Sequence, residues 1–175
     1  MKKVVNSVLA SALALSVAPM AVGAAEDEQQ QLDSRLQTAI NRLQALELVV
    51  GDDKGNLNLD QPITRAEFAT LVVRARGLAS GVPLAKYQQK YKDILVSDWY
   101  SGWINVASGE GLVKGYPDNT FGPNNNVTYA EAATMLVRAL GYEPSVSQAG
   151  WPNNFIAKAA ELGVSDGVQI DPNKP

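Results

Sequence analysis

Arg65 is the side chain in this sequence whose type and position best suit the binding of an anion. It follows Thr64 at the predicted start of a helix, where the helix dipole disfavours a cation by about 0.3 to 1 kcal/mol, so helix formation gives no reason for an arginine there. Free backbone N–H groups at a helix start attract anions, and a guanidinium can hold a carboxylate with two hydrogen bonds. The sequence therefore predicts a carboxylate-binding site at Arg65, the alternative being a surface arginine paired with Asp52, Asp53 or Asp60.

Two tryptophans, Trp99 and Trp103, are candidate sugar-binding residues. They lie four positions apart and would therefore share one face of a helix. Exposed indole rings can stack against the C–H faces of sugars, whereas buried indole rings pack in a core. The sequence leaves both roles open for each of them.

A turn-rich loop supplies three further candidates, Gly115, Tyr116 and Asp118. The backbone and side chains of such a loop could form a wall that meets sugar hydroxyl groups. Turn formation explains the glycine and the aspartate equally well, because both residue types favour turn dihedrals.

Two capping boxes are predicted at Thr64 with Glu67 and at Thr128 with Glu131. The spacing lets each threonine hydroxyl accept the backbone N–H three residues later while the glutamate reaches back. We expect these four residues to be structural caps rather than ligand contacts. The two glutamates are then not free to act as the acids of a glycoside hydrolase.

The composition excludes most catalytic and metal-binding chemistry. There is no histidine and no cysteine, so the commonest general base, the usual zinc ligands and disulfides are all missing from the sequence. The segment from Asp52 departs from a calcium loop, because Lys54 and Leu57 occupy positions that need an oxygen ligand and a glycine. We therefore predict no catalytic residue, no metal ion and no cofactor.

The first 25 residues are typical of a secretory signal peptide, since Lys2 and Lys3 precede an uncharged stretch that ends in small residues. Cleavage fits after Ala24 or Ala25, and the mature chain is expected to be secreted and free of the membrane. It would carry 13 basic and 18 acidic residues, a net charge of −5. Nucleic acid is then excluded as the leading partner, because such binding draws on bulk positive charge, and an anionic ligand needs a local site.

The elements that must position these residues are repeated along the chain. A shift of 64 residues superposes Thr64-Arg65-Ala66-Glu67 on Thr128-Tyr129-Ala130-Glu131, and a shift of 52 lays Trp99 on Trp151. Each complete copy predicts an all-α unit of helix, turn-rich loop and capped helix, with minimal strand content. We expect a signal peptide at 1–25, copy one at 26–80, copy two at 81–144 and an incomplete copy three at 145–175.

Particular residues are expected to bound these helices. Gly51 should end the first helix of copy one, and Asp98 is a candidate N-cap for the first helix of copy two. Gly77 and Gly141 should end the two capped helices.

The motifs of copy two resemble the S-layer homology (SLH) repeat, a family of bacterial surface proteins. The matching positions are Tyr91 and Asp93, Trp99, Trp103-Ile104, Gly111-Leu112-Val113-Lys114-Gly115-Tyr116, Asp118-Asn119-Thr120-Phe121, Pro123 and Thr128-x-Ala130-Glu131. With the signal peptide, the chain resembles the N-terminal part of a Gram-positive S-layer protein of the middle wall protein type.

The resemblance implies a pseudo-threefold helical bundle whose inter-repeat grooves bind secondary cell-wall polysaccharide through the carboxylate of a pyruvyl ketal. It implies a non-catalytic anchoring module of the cell wall and S-layer, with Arg65 as the arginine of the family's Thr-Arg-Ala-Glu motif. The sequence departs from the family at Tyr129, which replaces that arginine in copy two, and copy three stops before its motif, so we expect a truncated third repeat. The alternative function is self-association with other S-layer subunits during lattice assembly.

Overall fold

The computed structural model of the chain describes residues 20–52, 54–147 and 149–165. The chain divides into two units, Met1–Arg42 and Leu43–Pro175, and every candidate site residue lies in the second. Most of the expected signal peptide, 1–19, lies outside the described residues. No helix in the described part is long and apolar enough to cross a membrane.

The described chain is helical. Its six α-helices are α1 (Met20–Ala45), α2 (Arg65–Ala75), α3 (Val82–Ala85), α4 (Ser101–Gly109), α5 (Tyr129–Ala139) and α6 (Asn153–Glu161). Short 3-10 turns follow α2 and α5 at Ala79–Gly81 and Glu143–Ser145. Extended pairing within these residues is limited to one isolated antiparallel bridge between Thr64 and Asn126. The all-α prediction is confirmed, while the pseudo-threefold packing stays a prediction.

Helices α2 and α5 begin and end in the same way because the same residues recur in both copies. The Thr64 hydroxyl accepts the Glu67 N–H at 3.2 Å, and the Thr128 hydroxyl accepts the Glu131 N–H at 3.3 Å. Each glutamate carboxylate accepts the N–H of its threonine in return, which completes both capping boxes. Gly77 and Gly141 follow the helices with φ of 69° and 81°, as a left-handed helix end requires.

Two predicted helix ends are wrong. Helix α1 ends at Ala45 rather than near Gly51, because the chain turns at Glu47 with φ of 55° and the Leu48 N–H donates to the Leu43 carbonyl. Helix α4 begins at Ser101 without a side-chain cap. The Asp98 carboxylate instead accepts the Leu95 N–H at 2.7 Å, so it closes the preceding turn.

The core forms where the second helix of one copy packs against the first helix of the next. Helix α2 packs against α4, and α5 packs against α6 in the same manner. The first pair buries Val72 and Val73 in one cluster with Ile104, and the second buries Val137 in another with Phe155. These interfaces fix how residues from successive copies meet at the candidate site.

Candidate functional site

A pocket forms from residues of all three predicted copies of the repeat. Copy one contributes Arg65, and α5 of copy two contributes Glu131, Thr134, Met135 and Arg138. The loop of copy two adds Val113, Lys114, Gly115 and Tyr116, and copy three adds Trp151. The pocket encloses about 180 Å³, less than the roughly 300–1,000 Å³ of pockets for drug-sized molecules, so it suits one small group rather than a long chain.

The backbone at the start of α2 differs from the expectation of free N–H groups. The Arg65 N–H donates to the Asn125 carbonyl at 2.9 Å, and the Ala66 N–H donates to the Pro123 carbonyl at 3.0 Å. The next amide, that of Glu67, donates to its capping threonine. Copy two therefore already occupies the amides that an anion was expected to use, and only the arginine side chain remains for such a role.

The Arg65 side chain is held on several sides. Its Nε donates to the Phe121 carbonyl at 3.0 Å, and its Nη1 lies 2.7 Å from Glu131 Oε1. The Tyr116 and Phe121 rings lie against the guanidinium, with ring centroids 4.8 and 4.7 Å from Cζ. With only 4% of its side chain exposed, Arg65 is fixed in position, and neither Asp52 nor Asp60 is the partner that it pairs with.

Glu131 joins the helix cap to this arginine. Its Oε2 accepts the Thr128 N–H at 3.0 Å, while its Oε1 faces Arg65 and accepts the Tyr116 hydroxyl at 3.1 Å. Burial and the negative charge of Glu131 raise the pKa of Tyr116, although Arg65 acts in the opposite direction. Tyr116 therefore stays protonated at neutral pH and can keep donating to the carboxylate.

Asp93 positions the carbonyl that Arg65 uses. Its carboxylate accepts the Phe121 N–H at 2.9 Å and the Gly122 N–H at 2.7 Å. The Phe121 side chain is fully buried and lies beside the Tyr91 ring, with centroids 5.5 Å apart. The Tyr-x-Asp motif thus sets the wall of the pocket behind the guanidinium.

A second ionic cluster joins Lys114, Arg138 and Glu143. Lys114 Nζ lies 3.2 Å and Arg138 Nε 3.1 Å from the same oxygen, Glu143 Oε1. Partial burial opposes ionisation of Glu143, but the hydrogen bond from Lys114 and the charge of Arg138 hold its pKa below the ordinary value. Sequence reasoning missed this cluster, because Lys114 lies 29 residues before Glu143 along the chain.

Trp151 was also missed as a site residue. Its indole Nε1 donates to the Thr134 hydroxyl at 3.1 Å, and that hydroxyl donates to the Ala130 carbonyl at 2.7 Å. Much of the ring remains exposed at the pocket. The shift of 52 residues that pairs it with Trp99 was the signal that could have identified it.

The sequence-predicted residues divide into two groups. Arg65, Gly115 and Tyr116 come together in the pocket, whereas Trp99, Trp103 and Asp118 are not among its lining residues. Trp99 is exposed against Tyr100, and Trp103 packs on the core with the Arg74 guanidinium 5.1 Å from its ring centroid.

Asp118 lies on an exposed turn. Its carboxylate accepts the Thr120 hydroxyl and lies 3.4 Å from Lys92 Nζ. Across the described residues, no group of acidic side chains is arranged to hold a metal ion.

Gly115 is needed because other atoms occupy the space of a side chain. A β-carbon placed there would collide with the Tyr91 ring and come within 2.7 Å of the Thr120 carbonyl oxygen. We expect Gly115→Ala to lower the free energy of unfolding by about 1 to 3 kcal/mol, the usual cost of overpacking. Urea denaturation measures the loss.

Gly81→Ala is the matched control for that substitution. A β-carbon at position 81 would meet Val106 at 3.5 Å, an ordinary contact, so this variant should stay within about 0.5 kcal/mol of the unsubstituted chain. Equal stability of the two variants would contradict the role given to Gly115.

Comparisons with known proteins agree on one family. The family model of the S-layer homology domain matches residues 34–69 and 90–133. A surface layer protein of Brevibacillus choshinensis is 56% identical over 175 residues, covering 99% of this chain and 15% of that protein. A middle cell wall protein of Brevibacillus brevis is 55% identical over 99% of this chain and 17% of its own length. A cell surface protein of Thermoanaerobacter kivui is 34% identical over 91% of this chain and 21% of its own length, so the chain spans about a fifth or less of each relative.

Proposed function

Because this chain belongs to the S-layer homology domain family, we propose that it is a non-catalytic module that anchors a secreted surface-layer protein to the cell wall. Its ligand is a secondary cell-wall polysaccharide that carries pyruvyl ketals. The repeat boundaries 26–80, 81–144 and 145–175 and the signal peptide at 1–25 belong to the same proposal.

The observation that carries the proposal is the composition of the pocket. A buried arginine, a tyrosine and an exposed tryptophan line a small concave surface built from three copies of the repeat. A pyruvylated sugar combines a carboxylate with apolar C–H faces, which are the groups that a guanidinium and an indole bind.

Arg65 has donors left for such a carboxylate. Its Nε–H is taken by Phe121, and its Nη1 forms an ion pair with Glu131 at 2.7 Å, while a guanidinium carries five N–H donors in a planar fork. Since the guanidinium is already fixed, binding costs no ordering of a long side chain. The ketal carboxylate binds at the remaining N–H groups, and the sugar ring lies against Trp151.

The remaining sequence candidates have different parts in the proposal. Gly115 and Tyr116 form the wall beside Arg65, and Tyr116 also supports the carboxylate of Glu131. Trp99 stays a prediction for a glycan contact outside this pocket, because its ring is exposed. Trp103 and Asp118 are assigned to packing and to turn formation.

The test compares a methyl hexoside bearing a pyruvyl ketal with the same compound as its methyl ester. We expect the 175-residue chain to bind the ketal acid at least tenfold more tightly in calorimetry, since one charge-assisted hydrogen bond contributes about 1.5 to 3 kcal/mol. Equal binding of acid and ester would overturn the proposal. Sedimentation of the chain without ligand tests the alternative function, self-association. A monomer in that experiment would count against self-association.

A further inference from the structure

Charge is distributed unevenly between the two ionic clusters of the pocket. Arg65 faces Glu131 at 2.7 Å, so this buried pair carries no net charge. Lys114 and Arg138 share a single oxygen of Glu143, so that cluster holds two cations for one carboxylate. The positive charge available to an anionic ligand therefore belongs to the second cluster, not to Arg65.

Lys114 is the member of this cluster that is free to move. Its side chain is 66% exposed, whereas that of Arg138 is 11% exposed and lies with Cζ 5.4 Å from the centroid of the Phe155 ring. An exposed ion pair contributes about 0 to 1 kcal/mol, so a ligand can draw the ammonium group away at little cost. Arg138 then keeps Glu143 compensated.

Comparison between the copies indicates that the scaffold does not require this cluster. The shift of 64 residues lays Lys114 on Val50, Arg138 on Arg74 and Glu143 on Ala79. Arg74 packs over Trp103 as Arg138 packs over Phe155, so the arginine is common to both copies. The lysine and the glutamate are absent from the equivalent positions of copy one. Lys114 lines the pocket, and Glu143 is paired with it at 3.2 Å.

We propose that Lys114 leaves Glu143 to bind the anionic group of the ligand, and that Glu143 limits the pocket to ligands carrying one negative charge. The inference rests on the proposed function and deepens it. Lys114 supplies the compensating charge, while Arg65 supplies fixed hydrogen-bond donors. A ligand with two negative charges, such as a phosphorylated sugar, would leave one of them uncompensated beside Glu131 and Glu143.

The test measures binding of the same pyruvyl ketal hexoside and its methyl ester to Lys114→Met. Lys92→Met is the matched control, because Lys92 is 59% exposed and also pairs with a carboxylate, that of Asp118, but does not line the pocket. Lys114→Met should weaken binding of the acid about tenfold and leave the ester unchanged, while Lys92→Met should change neither by more than about twofold.

Glu143→Gln gives an effect in the opposite direction. Removing this carboxylate frees Lys114 and raises the charge of the pocket, so binding of the acid should tighten about threefold or more, and a hexose phosphate should gain more than the ketal. Equal losses of affinity in the two lysine variants, or an unchanged affinity in Glu143→Gln, would overturn the role of Lys114 but not the proposed function. Failure of the unsubstituted chain to prefer the acid over the ester would overturn the proposed function as well.

Discussion

Replacing Arg65 with alanine is expected to lower the free energy of unfolding by about 3 to 5 kcal/mol, the usual cost of breaking a buried ion pair by removing one partner. The substitution leaves the Glu131 carboxylate without its cation and the Phe121 carbonyl without its donor. Urea denaturation followed by circular dichroism measures the change.

Two further variants show whether this loss comes from the pair with Glu131. Arg76→Ala, at an exposed position after α2, should stay within about 0.5 kcal/mol of the unsubstituted chain. In a double-mutant cycle with Glu131→Gln, the two losses should be non-additive by about 0.5 to 3 kcal/mol. Additive losses would show that the two side chains do not depend on each other.

Replacing Phe121 with alanine is expected to cost about 3 to 5 kcal/mol of unfolding free energy, because a fully buried aromatic side chain is lost and a cavity remains. The ring lies beside Tyr91 and against the Arg65 guanidinium, so the guanidinium also loses the support of one face. Ligand binding in the folded fraction should therefore weaken too, which calorimetry of the pyruvyl ketal hexoside measures.

Tyr87→Ala is the control for that substitution, because Tyr87 is exposed and should contribute within about 0.5 kcal/mol. A loss below about 1 kcal/mol in Phe121→Ala would contradict the central packing role of this ring. If stability falls as expected but ligand affinity is unchanged, Phe121 contributes to core packing and not to ligand binding.

Much of the local structure could be predicted from the sequence because its causes lie within a few residues. The capping boxes of α2 and α5 depend on residues three positions apart, and Gly77 and Gly141 end those helices in left-handed turns. The same local rules failed at Glu47, where a non-glycine residue adopts a left-handed conformation. Local rules also failed at Asp98, whose carboxylate accepts the N–H of Leu95, three residues earlier, instead of capping α4.

The candidate site was predicted only in part. Arg65 stood out because a helix start gives no reason for a cation, and Gly115 and Tyr116 were selected as residues of a turn-rich loop. The partners of Arg65 were not predicted, since Phe121 lies 56 residues away and no local pattern joins the two. Trp99 was predicted to contact the ligand, but Trp151 is the tryptophan that lines the pocket. The two could not be told apart because they occupy equivalent positions of the repeat.

The sequence by itself determined the helical repeat, its caps, the absence of histidine and cysteine chemistry, and the arginine on which the site is built. The tertiary structure alone decided that Asn125 and Pro123 occupy the amides beside this arginine, that Glu131 neutralises it, and that Lys114 shares Glu143 with Arg138. The physical reason is that helix formation and capping act within one or two turns of chain. Charge compensation in a pocket instead depends on which distant side chains the packing of α2, α4, α5 and α6 brings within a few ångströms.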